Sequence, residues 1–195
     1  MRIDYKNKIV FLANTKVAST SLEHALFAPG RQMGRIDGHP GIKHLNFSEF
    51  LRIRHVVRAS NFKTICVVRH PIEKAKSWYK YRSRDELDGK PRSTKGITLE
   101  TFLKNIPEKD FDDRLFCHDV ESGNKVDLIF KYENIEVMVG FLQKIYGDSF
   151  QLKHKNKSPQ LLLDDVSSDT IKRFQDAVDW YDSIPPVPDL SDINL

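Results

Sequence analysis

The sequence holds only two cysteines, Cys66 and Cys117, too few for a disulfide framework or a zinc site. It has no apolar run approaching the length of a membrane span, and its first residues, MRIDYKNKIVFLAN, lack the apolar block of a signal peptide. The expected compartment is a reducing cytoplasm. Neither sign of charge dominates: 31 basic against 27 acidic residues leave a net charge of +4 and a pI of about 9.0. That excess accommodates an anionic ligand such as a nucleotide or an acidic sugar, but it does not on its own indicate nucleic acid. No internal repeat is found. The sequence also lacks a GxxxxGK[ST] phosphate loop.

What is present is enough for one core. A chain of 195 residues with 12 Phe, 6 Tyr and 2 Trp can bury a substantial interior, which excludes general disorder and suits a single domain. Three β-rich apolar runs read as buried strands: Lys8 to Ala13, Lys63 to Val68 and Asp127 to Tyr132. Helical signals alternate with them. Thr20 and Glu23 have capping-box spacing ahead of Leu22, Ala25 and Leu26. Asn46 or Ser48 precedes a short helix through Phe47, Phe50, Leu51 and Arg54. Pro71 fits the first position of a helix reaching about Arg82. Further helices are expected near Leu99 to Ile106, from Asn134 to a stop at Gly147, and behind Ser168. Pro29 to Lys43 reads as a loop, and Arg84 to Gly96 as a structureless surface loop. The expected organisation is one domain over 1–183 and an extended, proline-rich tail over 184–195. Strands alternating with helices imply an α/β fold with a central parallel sheet flanked on both faces.

Two constellations carry chemistry. Lys16-Val17-Ala18-Ser19-Thr20-Ser21 places a lysine, small side chains and three hydroxyls where a buried strand passes into a helix, so backbone N–H groups and a full charge converge on one point. The lysine comes first and no glycine is present, so this is not a Walker A loop. The second is Arg69, directly behind the Lys63–Val68 run, with Ser77 eight residues later. On the helical wheel Ser77 falls off the arc of Ile72, Ala75, Trp78 and Tyr79, and the pair can clamp a phosphate.

Together these segments resemble the sulfotransferases that use 3′-phosphoadenosine 5′-phosphosulfate (PAPS), in particular the Golgi carbohydrate enzymes and their bacterial relatives. Lys16 to Leu22 is similar to their 5′-phosphosulfate loop in its KxAxTS form, and Arg69 with Ser77 to their 3′-phosphate motif. Val126 to Ile135 resembles the later strand that ends in a YE(D/N)L-like turn, and His154-Lys155-Asn156-Lys157-Ser158 the HxNxS segment. The resemblance implies a P-loop-like three-layer fold and transfer of a sulfuryl group to a hydroxyl, leaving adenosine 3′,5′-bisphosphate. It assigns Lys16 to the leaving phosphate and Val17, Ala18, Ser19, Thr20 and Ser21 to the nucleotide. It gives the 3′-phosphate to Arg69 and Ser77, sets Tyr132 near the adenine, and closes Lys155, Asn156 and Ser158 over the nucleotide. No metal is expected.

For the base that takes the acceptor's proton the candidates are His44, in a KH pair of the kind found in carbohydrate-type relatives, then His39, with Glu49 as a carboxylate alternative. His24 and His55 read as helix-surface residues, His70 as structural and Cys66 as a core thiol. Pro29 to Ala59 and Ser83 to Asp113, both rich in arginine and lysine, remain for the acceptor, expected to be a carbohydrate or small metabolite. No membrane or nucleic-acid partner is expected. The rival readings are a P-loop kinase using ATP and a non-catalytic basic module that binds anionic polymers.

Overall fold

The computed structural model describes residues 1–27, 33–35, 43–152, 163 and 165–190. Its centre is a five-stranded sheet in the order β3-β1-β2-β4-β5. The three expected strands are β2 (Ile9–Leu12), β4 (Lys63–Val68) and β5 (Leu128–Lys131), and they run parallel, with Leu12 opposite Cys66 and Val68 opposite Lys131. Two short strands correct the all-parallel expectation. β1 (Arg2–Asp4) folds back on β2, and β3 (Met33–Arg35), inside a segment read as loop, pairs with β1, both antiparallel. The sheet is therefore mixed. Three-residue strands carry too short a pattern to register as period-two runs, and Asp4 turns the chain by accepting the N–H groups of Lys6 and Asn7.

Alternation along the strands builds the layers. Ile9, Phe11, Ile65, Val67, Leu128 and Phe130 pack under α1 (Ser19–Leu26) and α6 (Ile135–Tyr146). Val10, Leu12, Cys66 and Val68 face the other way, against α2 (Phe47–Ile53), α5 (Arg114–Cys117) and α8 (Gln175–Ser183). A third cluster joins α3 (Pro71–Arg82), α4 (Leu99–Asn105) and Phe174. Side chains such as Phe11, Phe50 and Phe130 are almost wholly buried, each stabilising the fold by about 1.5–3 kcal/mol. Cys66 and Cys117 are free, buried thiols with their sulfurs 3.2 Å apart. Burial, then the hydrogen bond with Cys66, pushes the Cys117 thiol up.

Several local expectations are met and others corrected. Asn46 caps α2 in a reciprocal capping box with Glu49, and Gly147 ends α6 at φ 85°. Thr20 does not cap α1. The cap position is Ala18, without a side-chain bond, and Glu23 instead pairs with the Met1 ammonium and with Lys43. Asn134 stands at the cap of α6 but makes no capping bond there. The stretch from Arg84 to Gly96 is tied down: Lys95 bridges Asp85 and Asp88, and buried Thr94 bonds the carbonyl of Tyr79. The helix behind Ser168 is broken into α7 (Ser168–Lys172) and α8, with Ser167 as the cap of the first. Residues 184–190 are irregular, with Ile184 packed into the core. No helix among the described residues is long and apolar enough to cross a membrane.

Candidate functional site

Parallel strands in register bring the turns that follow them to one edge of the sheet, where α/β folds hold their ligands. Here the turn after β2 carries Asn14 to Ala18, the turn after β4 carries Arg69 and His70, and the turn after β5 carries Tyr132 to Asn134. Both Lys16 (φ 59°) and Ala18 (φ 57°) are left-handed, a conformation that costs a residue with a Cβ about 1–2 kcal/mol. Lys8, Arg58 and Arg92 share this conformation elsewhere, so what sets this loop apart is two such residues within three positions. The N–H groups of Ser19, Thr20 and Ser21 lie in the first turn of α1, at its positive end. Ala18→Gly should raise folding stability by about 0.5–1 kcal/mol, the relieved strain less the added freedom of the unfolded chain, as read by chemical denaturation. An unchanged or lower value would show that the loop is not held in this shape.

Cations converge on this loop. The Arg69 guanidinium lies 4.5 Å from the centre of the Tyr132 ring and donates from Nη1 to the Lys16 carbonyl, 3.1 Å away. Among the described residues its buried Nε has no hydrogen-bond partner, and the Glu133 carboxylate lies 4.0 Å away. Lys16 Nζ rests 4.3 Å from the Tyr81 ring centre and 5.6 Å from that of Trp78. Arg84 also stacks on Tyr81, and Arg82 on Trp78. Among the described residues no carboxylate lies within ion-pair distance of Lys16. Burial, then the charges of Arg84 and Arg69, push its ammonium down to about 8. A cluster of cations around an ammonium that has no carboxylate partner among the described residues favours an anion.

The remaining expected residues fall as follows. Val17 is a core residue whose side chain points into the cluster under α1, so only its backbone is available to a ligand. Ser19 and Ser21 are buried at the start of α1, and Thr20 is half-buried. Ser77 is half-buried and makes no hydrogen bond among the described residues. It lies three residues after Lys74 and four before Tyr81, so all three share a face of α3. Lys74 and Tyr81 both reach the turn after β2, which sets Ser77 toward the same loop.

His44 Nδ1 bonds the carbonyl of Ala13, at the end of β2. A carbonyl only accepts, so Nδ1 carries the proton and Nε2 keeps its lone pair. Burial lowers the pKa of His44; the Ala13 bond opposes this, and Lys43 adds to it. Glu49 is committed to the capping box of α2. His24 and His55 are exposed, and His70 packs edge-on against Tyr181. His39, Lys155, Asn156 and Ser158 lie outside the described residues. No cluster of three metal-ligating side chains occurs among the described residues.

Sequence reasoning did not reach the polar core beneath these turns. Lys74, on α3, is 3% exposed, and Asp113, at the start of α5, is 2% exposed; they form a direct ion pair. Lys74 also donates to Asn14 Oδ1 at 3.3 Å, and Asp113 Oδ2 accepts the Arg69 N–H at 3.1 Å. Asn14 in turn accepts the Thr15 N–H and donates to the Val67 carbonyl. No local pattern distinguishes Lys74 from Lys76 or Lys80, and its partner lies 39 residues away.

Compared with known proteins, the chain matches no protein-family model, no curated protein and no solved structure.

Proposed function

We propose that this protein is a PAPS-dependent sulfotransferase with a P-loop-like fold, working in the cytoplasm on a hydroxyl of a carbohydrate or small metabolite. The observation that carries the reading is the contact of Arg69 with the Lys16 carbonyl. It draws the two strand-end motifs of the PAPS resemblance into one cationic site. In-line transfer breaks the bond from sulfur to the leaving phosphate oxygen as the acceptor oxygen bonds to sulfur. Negative charge grows on the leaving oxygen, and the Lys16 ammonium with the positive N-terminal end of α1 would stabilise it. His44, neutral and with Nε2 open, would take the acceptor's proton. Arg69 and Ser77 would hold the 3′-phosphate, and Tyr132, already stacked on Arg69, would border the adenine.

Titration calorimetry tests the reading. Adenosine 3′,5′-bisphosphate should bind tightly without magnesium, and ATP weakly. Tight, magnesium-dependent ATP binding in its place would convert the assignment to a kinase. Strongly salt-dependent binding of an anionic polymer that survives replacement of Lys16 and Arg69 together would make the chain a polymer-binding module.

A further inference from the structure

We propose that the buried Lys74–Asp113 pair is a positioning device that fixes the spacing between the Lys16 and Arg69 halves of the anion site; its effect on nucleotide binding rests on the reading above. The connections form a closed path. From the β2 side, the Thr15 N–H bonds Asn14 Oδ1, which also accepts from Lys74 Nζ. Lys74 pairs with Asp113, whose other oxygen accepts the Arg69 N–H on the β4 side. Asn14 Nδ2 crosses back to the Val67 carbonyl at 3.1 Å, and Arg69 Nη1 returns to the Lys16 carbonyl. Each of the two turns is therefore held both by its neighbour and by the ion pair beneath.

Three features separate positioning from plain support. Ion pairs buried to this depth are often replaceable by apolar residues without loss of stability, so stability alone does not call for one here. The pair's other contacts go to Asn14 and to the Arg69 N–H, the turns that carry the cations, rather than to the helices' own backbones. Neither side chain is exposed enough to meet a ligand itself. Lys74 and Asp113 thus act through Lys16 and Arg69.

The test uses the double variant Lys74→Met/Asp113→Leu, which removes both charges together and leaves neither stranded. Two readouts are compared with the parent protein. The first is amide hydrogen exchange. Exchange at residues 15–18 and 69–70 should accelerate at least tenfold while β4 and β5 stay protected. Unchanged exchange at those turns overturns the proposal whether or not any nucleotide binds. The second is the ratio of affinities for adenosine 3′,5′-bisphosphate and adenosine 5′-monophosphate. Affinity for the bisphosphate, which must touch both turns, should fall at least tenfold, and that for the monophosphate less than threefold. Equal losses for both ligands would mean general loosening and overturn the proposal. If the parent binds neither nucleotide, the sulfotransferase reading falls and the exchange result alone decides on the pair. Should the double variant fail to fold, Asn14→Ala keeps the ion pair and removes its link to the β2 side, along with the Asn14 bonds to the Thr15 N–H and the Val67 carbonyl. Exchange should then rise at 15–18 and not at 69–70, and a rise at neither turn overturns the proposal.

Discussion

On the proposed function, Lys16→Ala should reduce sulfuryl transfer by at least about 10²–10³-fold, the scale of removing one preorganised charge stabiliser from a transfer reaction. Folding stability should change by no more than about 1 kcal/mol, because the substitution removes a stacking contact on Tyr81 and leaves in place the Lys16 carbonyl that Arg69 uses. Near-normal turnover in the variant would remove Lys16 from the mechanism. The depressed pKa of about 8 adds a pH signature. Between about pH 8 and the ordinary lysine value of 10.5 the folded protein binds fewer protons than the unfolded chain, so this group makes stability rise with pH over that window. Anion affinity should run in the opposite direction and decline as pH passes 8, since the anion needs the protonated amine. Bringing a phosphate to the amine favours the charged form, so binding near pH 8.5 should be accompanied by proton uptake, read from calorimetry in buffers of different ionisation heat. The uptake should vanish in Lys16→Ala.

Asp113→Ala should destabilise the fold strongly. It leaves the Lys74 ammonium buried without its counter-charge and the Arg69 N–H without its acceptor. Breaking a buried pair from one side costs about 3–5 kcal/mol. Against a total stability on the order of 5–15 kcal/mol, that is a large share. Chemical denaturation should show the midpoint falling with little change in slope, and thermal unfolding should shift down by roughly 10 °C. A loss below about 1 kcal/mol would mean that water reaches Lys74 and takes over the role of the carboxylate.

The parts of the architecture that local pattern governs were legible in the sequence. β4 runs from Lys63 to Val68 as its composition requires, because a strand buried on both faces reads as a continuous apolar run. Pro71 and Gly147 bound their helices through fixed or left-handed backbone angles that few other residues supply. The Lys16 and Arg69 segments could be singled out because each follows such a strand. Long-range pairing was not legible. β1 and β3 are three residues each, and their strand character comes from their partners. Glu23 has the spacing of a capping residue, yet its carboxylate is taken by the Met1 ammonium and Lys43, so tertiary charge overrode the local rule. The link from Lys74 to Asp113 has no signature at all in a single sequence.

The two left-handed residues at positions 16 and 18 have an implication for how this loop could be re-engineered. Its contour is fixed by backbone angles at two positions, so on the proposed reading little freedom would be lost when an anion binds. Installing glycine at position 18 alone would keep the Lys16 ammonium while making the molecule sturdier and the loop more pliable, trading readiness for robustness.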